Sequence, residues 1–295
     1  MRGASLESLE ISARTAIYGI LGNPVKYSLS PAIHNCAFRK VGVDAFYVAF
    51  QVKKSDLRSA VHGTVALAIQ GFNVTFPHKI AITKYLDQLD QVAAAVGSVN
   101  TVMNLNGMLK GFNTDVAGAL ETIKTKRLNG ASILIIGAGG AARAVAHAFA
   151  PKVERTIIMN RTLSKAKALE HQLHRRYGGK VVSSNICAQR RLQDFVTTAD
   201  IIVNASSMGM CGRNNPPIKK EWLNQSQLVF DLVYEPLNTA LLRNAKDAGA
   251  ETINGVEMLL NQGAKCFELW TGKEAPLMEM RREISNRIAM TYASS

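Results

Sequence analysis

The stretch SILIIGAGGAARAVAHAFA, residues 132–150, constrains this chain more than any other. An apolar, β-branched run reads as a buried strand, and it passes through a glycine-rich turn straight into an alanine-rich helical pattern. Gly137, Gly139 and Ala142 stand in the order G-x-G-x-x-A at that junction. Gly137 permits the tight turn, Gly139 lets the backbone approach a pyrophosphate, and Ala142 keeps the helix close to the sheet. Ala138, Gly140 and Ala141 complete the loop, and the helix start offers free N–H groups and a positive dipole end to phosphates.

A unit of this kind needs partner strands. The chain supplies TAIYGIL, AFYVAFQV, GFNVTF and VNTVMN before it, and RTIIMN, ADIIVNAS, LVFDLV and ETIN after it. Helical patterns over residues 30–41, 55–68, 140–150, 163–177 and 239–248 separate many of them. Strand alternating with helix argues for α/β architecture with parallel, doubly wound sheets. Ser30 followed by Pro31 reads as a helix cap and first helical position. At 295 residues two domains are expected, and a composition change near 115–131 marks the division. Residues 115–126 read as a helix ended by RLNG, and 255–272 as a helix with Val256, Leu260, Ala264 and Phe267 on one face. The chain divides at about Asp115 into two α/β units, and the C-terminal helical segment could pack on either one. The second unit, over 116–255, is expected to be a Rossmann-type doubly wound domain.

The strand after the glycine turn selects the dinucleotide. An acid near its end would hold the ribose 2′-hydroxyl of NAD. This chain has Asn160 there, followed by Arg161, Thr162 and Lys165, with no carboxylate between Glu154 and Glu170. Arginine makes charge-assisted bonds to phosphate, so the expected cofactor is NADP. Bonds worth about 1.5 to 3 kcal/mol would favour NADP over NAD by roughly ten- to a hundredfold.

Charge and cysteine content remove other classes. A formal net charge of +13 fits a solvated basic exterior, because the basic residues are scattered and the clusters KTKR, HRR and RR lack interleaved aromatics. No nucleic-acid partner is expected. Cys36, Cys187, Cys211 and Cys266 show no CxxC spacing, so no metal site is expected and the thiols read as free, suited to a reducing cytoplasm. No run of about 18 apolar residues exists to span a membrane. Residues 1–14 carry Glu7 and Glu10 without an apolar centre, unlike a secretory signal.

In the first half, polar residues gather at the ends of apolar runs: Ser28 and Ser30, Asn73, Thr75 and Lys79, Asn100 and Thr101, Asn113 and Asp115. Carboxyl ends of parallel strands share one edge, so these groups could converge on a crevice facing the cofactor domain. Taken singly, each also reads as a cap, a turn former or an exposed residue.

Nine motifs in order, from GNPVKYSLSPAIHN through NVTFPHK, GSVNTV, GFNTD, GAGGAARA, NRTLSKA, NASSMGM and DLVYEPLNTALL to GVEMLLNQGAKCFELWTG, resemble the shikimate dehydrogenases and their quinate/shikimate relatives. The resemblance spans about residues 17–272, and it implies an N-terminal mixed-sheet α/β substrate domain over 1–115, completed by C-terminal helices at 256–295. It implies NADP-dependent interconversion of 3-dehydroshikimate and shikimate in the cytoplasm, within the chorismate route to aromatic amino acids, by a monomer or homodimer. It implies Lys79 and Asp115 as the catalytic pair and Ser28 and Ser30 as holders of the substrate carboxylate. Asn73, Thr75, Asn100, Asp115 and Gln262 would address ring hydroxyls, and Tyr234 would line the pocket. Gly255 would join the cofactor residues. Tyr27 departs from the family, which usually has His before the first serine. Broader quinate use, or a silent NADP-sensing module, are the alternative readings.

Overall fold

The computed structural model describes residues 11–126 and 128–293; most of the N-terminal extension lies outside them. The first sheet is built from β1 (Ala16–Gly22), β2 (Ala45–Gln51), β3 (Gly71–Val74), β4 (Gln88–Leu89), β5 (Thr101–Leu105) and β6 (Met108–Phe112). Helices α1 (Ser30–Val41), α2 (Leu57–Ala66) and α3 (Gln91–Val96) are interleaved with them. Its strand order is β2-β1-β3-β5-β6-β4. β1 pairs in parallel with β2 and β3, whereas β5 runs antiparallel to both β3 and β6. The sheet is mixed, as expected, and the hairpin has a consequence for the site. Thr101 at the start of β5 faces Asn73 near the end of β3, and Phe112 at the end of β6 faces Thr101. One edge therefore collects the ends of β3 and β6 together with the beginning of β5, not carboxyl ends alone.

α4 (Asp115–Thr122) leads into the second sheet, which is parallel throughout. Its elements are β7 (Ser132–Ile136), α5 (Gly140–Phe149), β8 (Arg155–Asn160), α6 (Leu163–Tyr177), β9 (Lys180–Asn185), α7 (Gln189–Thr198), β10 (Ile201–Asn204), β11 (Leu228–Asp231), α8 (Ala240–Asp247) and β12 (Glu251–Ile253). The order β12-β11-β10-β7-β8-β9 reverses direction between β7 and β10, the doubly wound arrangement whose crevice opens at that reversal. β10 and β11 are buried at every residue, as strands covered by helices on both faces must be. Two apolar clusters, one around Phe149, Ile135 and Phe230 and one around Leu134, Ile202 and Leu241, fill the two faces.

The chain then returns. α9 (Gly255–Thr271) and α10 (Leu277–Ala293) place Leu260, Phe267, Met280 and Ile284 in one core with Ile33, Phe38 and Tyr47 of the first sheet's layer. α9 also crosses α4 at near backbone contact: a Cβ on Gly118 would lie 2.9 Å from Gln262 Cβ and 3.0 Å from its N. Only glycine leaves room for that approach.

Helix boundaries follow local chemistry with two departures from expectation. Ser30 is the first helical residue and not the cap; Leu29 occupies that position, and the Ser28 hydroxyl accepts the Ser30 N–H at 3.3 Å. α4 stops at Thr122, short of the expected 126. α1 ends as expected of a chain reaching glycine: Gly42 adopts φ +66°, and the Val43 N–H returns to Phe38 O.

His34, on the buried face of α1, stacks on Tyr47 at 4.6 Å with neither ring nitrogen hydrogen-bonded. Burial lowers its pKa from 6.5 to about 3, and that of His147 to about 4. Both shifts are downward, so the unfolded chain binds protons that the folded one refuses. Stability is full above pH 6.5 and falls as pH drops toward these values, by about 1.4 kcal/mol per pH unit for a fully buried ring. His34→Phe preserves the stack and removes the titration. Its acid-unfolding midpoint, followed by circular dichroism, should move to lower pH; an unchanged midpoint would refute the assignment.

Candidate active site

β3 runs out of the first sheet into Thr75, turns at Pro77, and delivers Lys79; the hairpin of β5 and β6 delivers Asn100 and then Asp115. Lys79 Nζ lies 2.5 Å from Asp115 Oδ2, with the two side chains 18% and 5% exposed. A carboxylate so enclosed must be paired and hydrogen-bonded, or its charge would be untenable. Its other oxygen, Oδ1, accepts from Asn100 Nδ2 at 2.9 Å. Asp115 is the first residue of α4, where the positive helix end also favours an anion. Thr114 takes the cap position, and the Asn113 side chain accepts the Val116 N–H.

Asn100 is the hub. Its Nδ2 also donates to Thr114 Oγ1 (2.8 Å) and Gln262 Oε1 (3.1 Å), while its Oδ1 accepts the Thr114 N–H at 2.7 Å. Gln262 thus arrives from α9, and its own amide is fixed by donation to Leu259 O. Asn73 continues the network. It donates to Asn100 O and to Thr101 Oγ1, and accepts the Tyr47 hydroxyl at 2.7 Å. Burial pushes the Tyr47 phenol well above its ordinary range, so it stays a donor; a bond with the Ser30 hydroxyl acts in the opposite direction. Burial likewise raises the Tyr234 phenol, against hydrogen bonds with the Leu29 backbone and the Ser28 hydroxyl. Thr75 is held by its backbone, through its N–H to Leu21 O and its carbonyl to the His78 N–H.

Lys79, Asp115, Asn100, Gln262 and Asn73 therefore share one bonded cluster; Ser30 connects to it through Tyr47, and Ser28 meets Tyr234. Sequence reading missed Tyr47 and Cys266. The Cys266 thiol meets Asn73 Nδ2, Thr101 Oγ1 and Thr114 Oγ1 within 3.0–3.2 Å, and burial raises its pKa, keeping it protonated. Cys266 lies one helical turn beyond Gln262, a spacing that would have placed it.

The glycine turn forms the opposite wall. Gly137 has φ +121°, and a Cβ there would lie 2.9 Å from Ala205 O. Gly139 is different: a Cβ on it would meet nothing within 4 Å. Packing does not require that glycine, so the open cradle beside the start of α5 fits a phosphate group. Gly140, the first residue of α5, abuts Lys79, for a Cβ on it would fall 2.5 Å from Lys79 Cβ. Ser98 Oγ donates to Gly140 O at 3.3 Å. Ala138 is buried and Ala141 half-buried in the same loop. At the end of β8, on the same sheet edge, Asn160 donates to Thr162 O while Arg161, Thr162 and Lys165 are exposed, a cationic corner suited to a 2′-phosphate. Gly255 has a packing reason instead, since a Cβ would strike Leu232 O at 2.1 Å.

A further buried group was not anticipated. Asp231, at the end of β11, accepts from Asn204 Nδ2, Thr239 Oγ1 and the Val233 N–H, and burial raises its pKa to about 6. It ties the loops leaving β10 and β11, on the edge where the turn after β7 opens.

A lysine–carboxylate ion pair packed on a glycine-rich turn that opens a helix, across the seam of two α/β layers, fits the construction of a dinucleotide-dependent oxidoreductase. Three family descriptions match the chain in order: shikimate dehydrogenase substrate binding domain over residues 20–102, shikimate/quinate 5-dehydrogenase over 119–234, and shikimate 5′-dehydrogenase C-terminal domain over 255–284. The chain is 46% identical to the shikimate dehydrogenase (NADP(+)) of Pyrococcus furiosus, covering 92% of this chain and 96% of that one. Its fold superposes with a TM-score of 0.84 on a shikimate dehydrogenase crystallised with NADP+, at 40% identity over 94% of this chain and 97% of that one. For the Thermus thermophilus enzyme in complex with NADP(H) and shikimate the values are 0.81, 34%, 92% and 99%. This chain belongs to the shikimate dehydrogenase family. Among the described residues no helix is long and apolar enough to cross a membrane, and no cluster of side chains could hold a metal ion.

The contact between Gly140 and Lys79 makes a direct prediction. Gly140→Ala must displace the lysine stem or the turn, and turnover should fall tenfold or more, since misplacement by about 1 Å can cost a hundredfold. Steady-state kinetics at saturating cofactor check this; wild-type turnover would show that the approach is irrelevant.

Proposed function

We propose that this protein interconverts 3-dehydroshikimate and shikimate with NADP(H). The observation that carries the reading is Lys79, paired with Asp115 and packed on Gly140 of the phosphate turn. When bound, NADPH supplies a hydride to the ketone carbon. Negative charge then develops on the ketone oxygen, and the Lys79 ammonium stabilises it and delivers the proton that completes the alcohol. In the reverse direction Lys79 takes that proton. Asp115 fixes the ammonium in place, and Asn100 fixes Asp115.

Residues 1–115 with 256–295 serve as the substrate unit and 116–255 as the NADP unit. Ser28 and Ser30 hold the substrate carboxylate. Asn73, Thr75, Asn100, Asp115 and Gln262 address ring hydroxyls, and Tyr234 closes the pocket beside the serines. Gly137 to Ala141 cradle the pyrophosphate; Asn160, Arg161, Thr162 and Lys165 take the 2′-phosphate, and Gly255, kept a glycine by its packing on Leu232, borders the cofactor. The cationic corner supports NADP, and with it shikimate over quinate as the main substrate.

Lys79→Ala should lower the turnover number by at least about a hundredfold, the usual yield of a positioned proton donor, with little change in Michaelis constant. Unchanged turnover would remove Lys79 from the chemistry. Initial rates with shikimate and quinate, each paired with NADP and NAD, should be highest for shikimate with NADP. Arg161→Ala should narrow the NADP preference by roughly ten- to a hundredfold. A faster rate with quinate and NAD would overturn the assignment.

A further inference from the structure

Arg143 belongs to the glycine-rich segment, yet its side chain leaves the second sheet altogether. Its N–H donates to the O of Gly139, the residue that caps α5, while Nη1 reaches the first sheet's layer and donates to Val96 O at 3.3 Å. The same Nη1 donates to Gln172 Oε1 at 2.6 Å, and Gln172, on α6, donates from Nε2 to Ala95 O at 2.6 Å. Two side chains from adjacent helices of one layer thus hold two terminal carbonyls of α3 in the other.

Those carbonyls are among the acceptors a helix end leaves without partners, and they carry the negative end of its dipole. Gly97, at φ +66°, ends α3, and a Cβ on it would lie 3.4 Å from Arg143 Nη1. Among the described residues no carboxylate pairs with Arg143. The guanidinium instead faces the partial negative charge of the helix end, its Nε is buried without a partner, and burial lowers its pKa.

The four residues that follow α3 touch everything the chemistry needs. Gly97 accommodates Arg143; Ser98 bonds to Gly140 through its hydroxyl and to Asn113 through its carbonyl; the Val99 N–H donates to Lys79 O at 2.8 Å; and Asn100 holds Asp115. We propose that Arg143 and Gln172 form a clamp between the lobes that sets the separation of the phosphate turn from the Lys79–Asp115 pair, making both positioning residues for hydride transfer. The inference rests on the activity proposed above. Neither side chain touches the pair itself, so the clamp acts through the segment 97–100.

The test uses the full chain with Arg143→Met, Gln172→Leu and the double variant. Turnover should fall tenfold or more in each single variant, while dissociation constants for NADP+ and shikimate stay within about twofold. The double variant should lose no more than the worse single one, because the two side chains act as one unit. The deuterium isotope effect on turnover, with shikimate labelled at the reacting carbon, should rise. Arg143→Lys keeps the charge at the end of α3 without the fork, and should recover part of the loss. If Arg143→Met does not fold, Gln172→Leu, which leaves the guanidinium in place, decides the matter.

A readout independent of turnover is hydrogen exchange across residues 96–101. Exchange there should accelerate in the variants as the Val99 N–H to Lys79 O bond loosens. Wild-type turnover and isotope effect in Gln172→Leu, or loss of NADP+ affinity with exchange unchanged, would overturn the clamp. A wild-type protein inactive on shikimate would refute the proposed activity instead, while faster exchange in the variants would still support the clamp.

Discussion

The ion pair between Lys79 and Asp115 organises this molecule. An ammonium and a carboxylate, both largely withdrawn from water, keep their charges only while each stays beside the other and the carboxylate's second oxygen has its own donor. Asn100 supplies that donor, and its remaining bonds to Thr114 and Gln262 allow few other orientations. The polar floor beneath it, with Asn73, Tyr47, Thr101 and Cys266, is satisfied almost bond by bond, which is what makes a buried polar network rigid. In the proposed reaction, a carbonyl presented to the lysine would meet a charge already in place.

Three separate pieces of backbone meet at this pair, and each is brought by a specific close approach. The antiparallel hairpin turns Asn100 and Asp115 toward the end of β3. Gly118 lets α9 touch α4, so that Gln262 arrives from 162 residues beyond Asn100. Gly140 lets the phosphate turn rest against the lysine stem. A doubly wound sheet supplies a phosphate site at the reversal of strand order, but places no acid or base there. Lys79 and Asp115, proposed above as the reacting groups, lie across the seam from that site, so in the proposed reaction the seam is where hydride and proton would be brought together.

Much of this was legible along the chain. G-x-G-x-x-A after an apolar strand announced the second sheet, and the absence of a carboxylate after RTIIMN announced its cationic corner, because both are local patterns with local physical causes. The bounds of α6 and β8 agree with expectation residue for residue. β4, β6, β9, α3 and α7 were not anticipated. KVVSSN carries a mixed, half-buried pattern that its neighbours make a strand, whereas QRRLQDFVTT sets Leu192, Phe195 and Val196 at helical spacing, a periodicity that sequence reading missed. Ser30 looked like a cap because serine before proline usually is one. Here Ser28 takes the N–H, leaving the Ser30 hydroxyl to face Tyr47.

By itself the sequence determined which chemical groups exist and which local conformations they favour: the phosphate turn, the alternation of strand and helix, and a lysine and an aspartate at the ends of apolar runs. Family resemblance joined those two residues into a pair, since nothing in their spacing does. Only the tertiary structure decided the distances that chemistry depends on, because they close between segments far apart in the chain through glycines that serve packing as much as turning. For the same reason the roles of Arg143, Gln172, Asp231 and Cys266 became visible only in the folded chain: each is defined by what lies across from it.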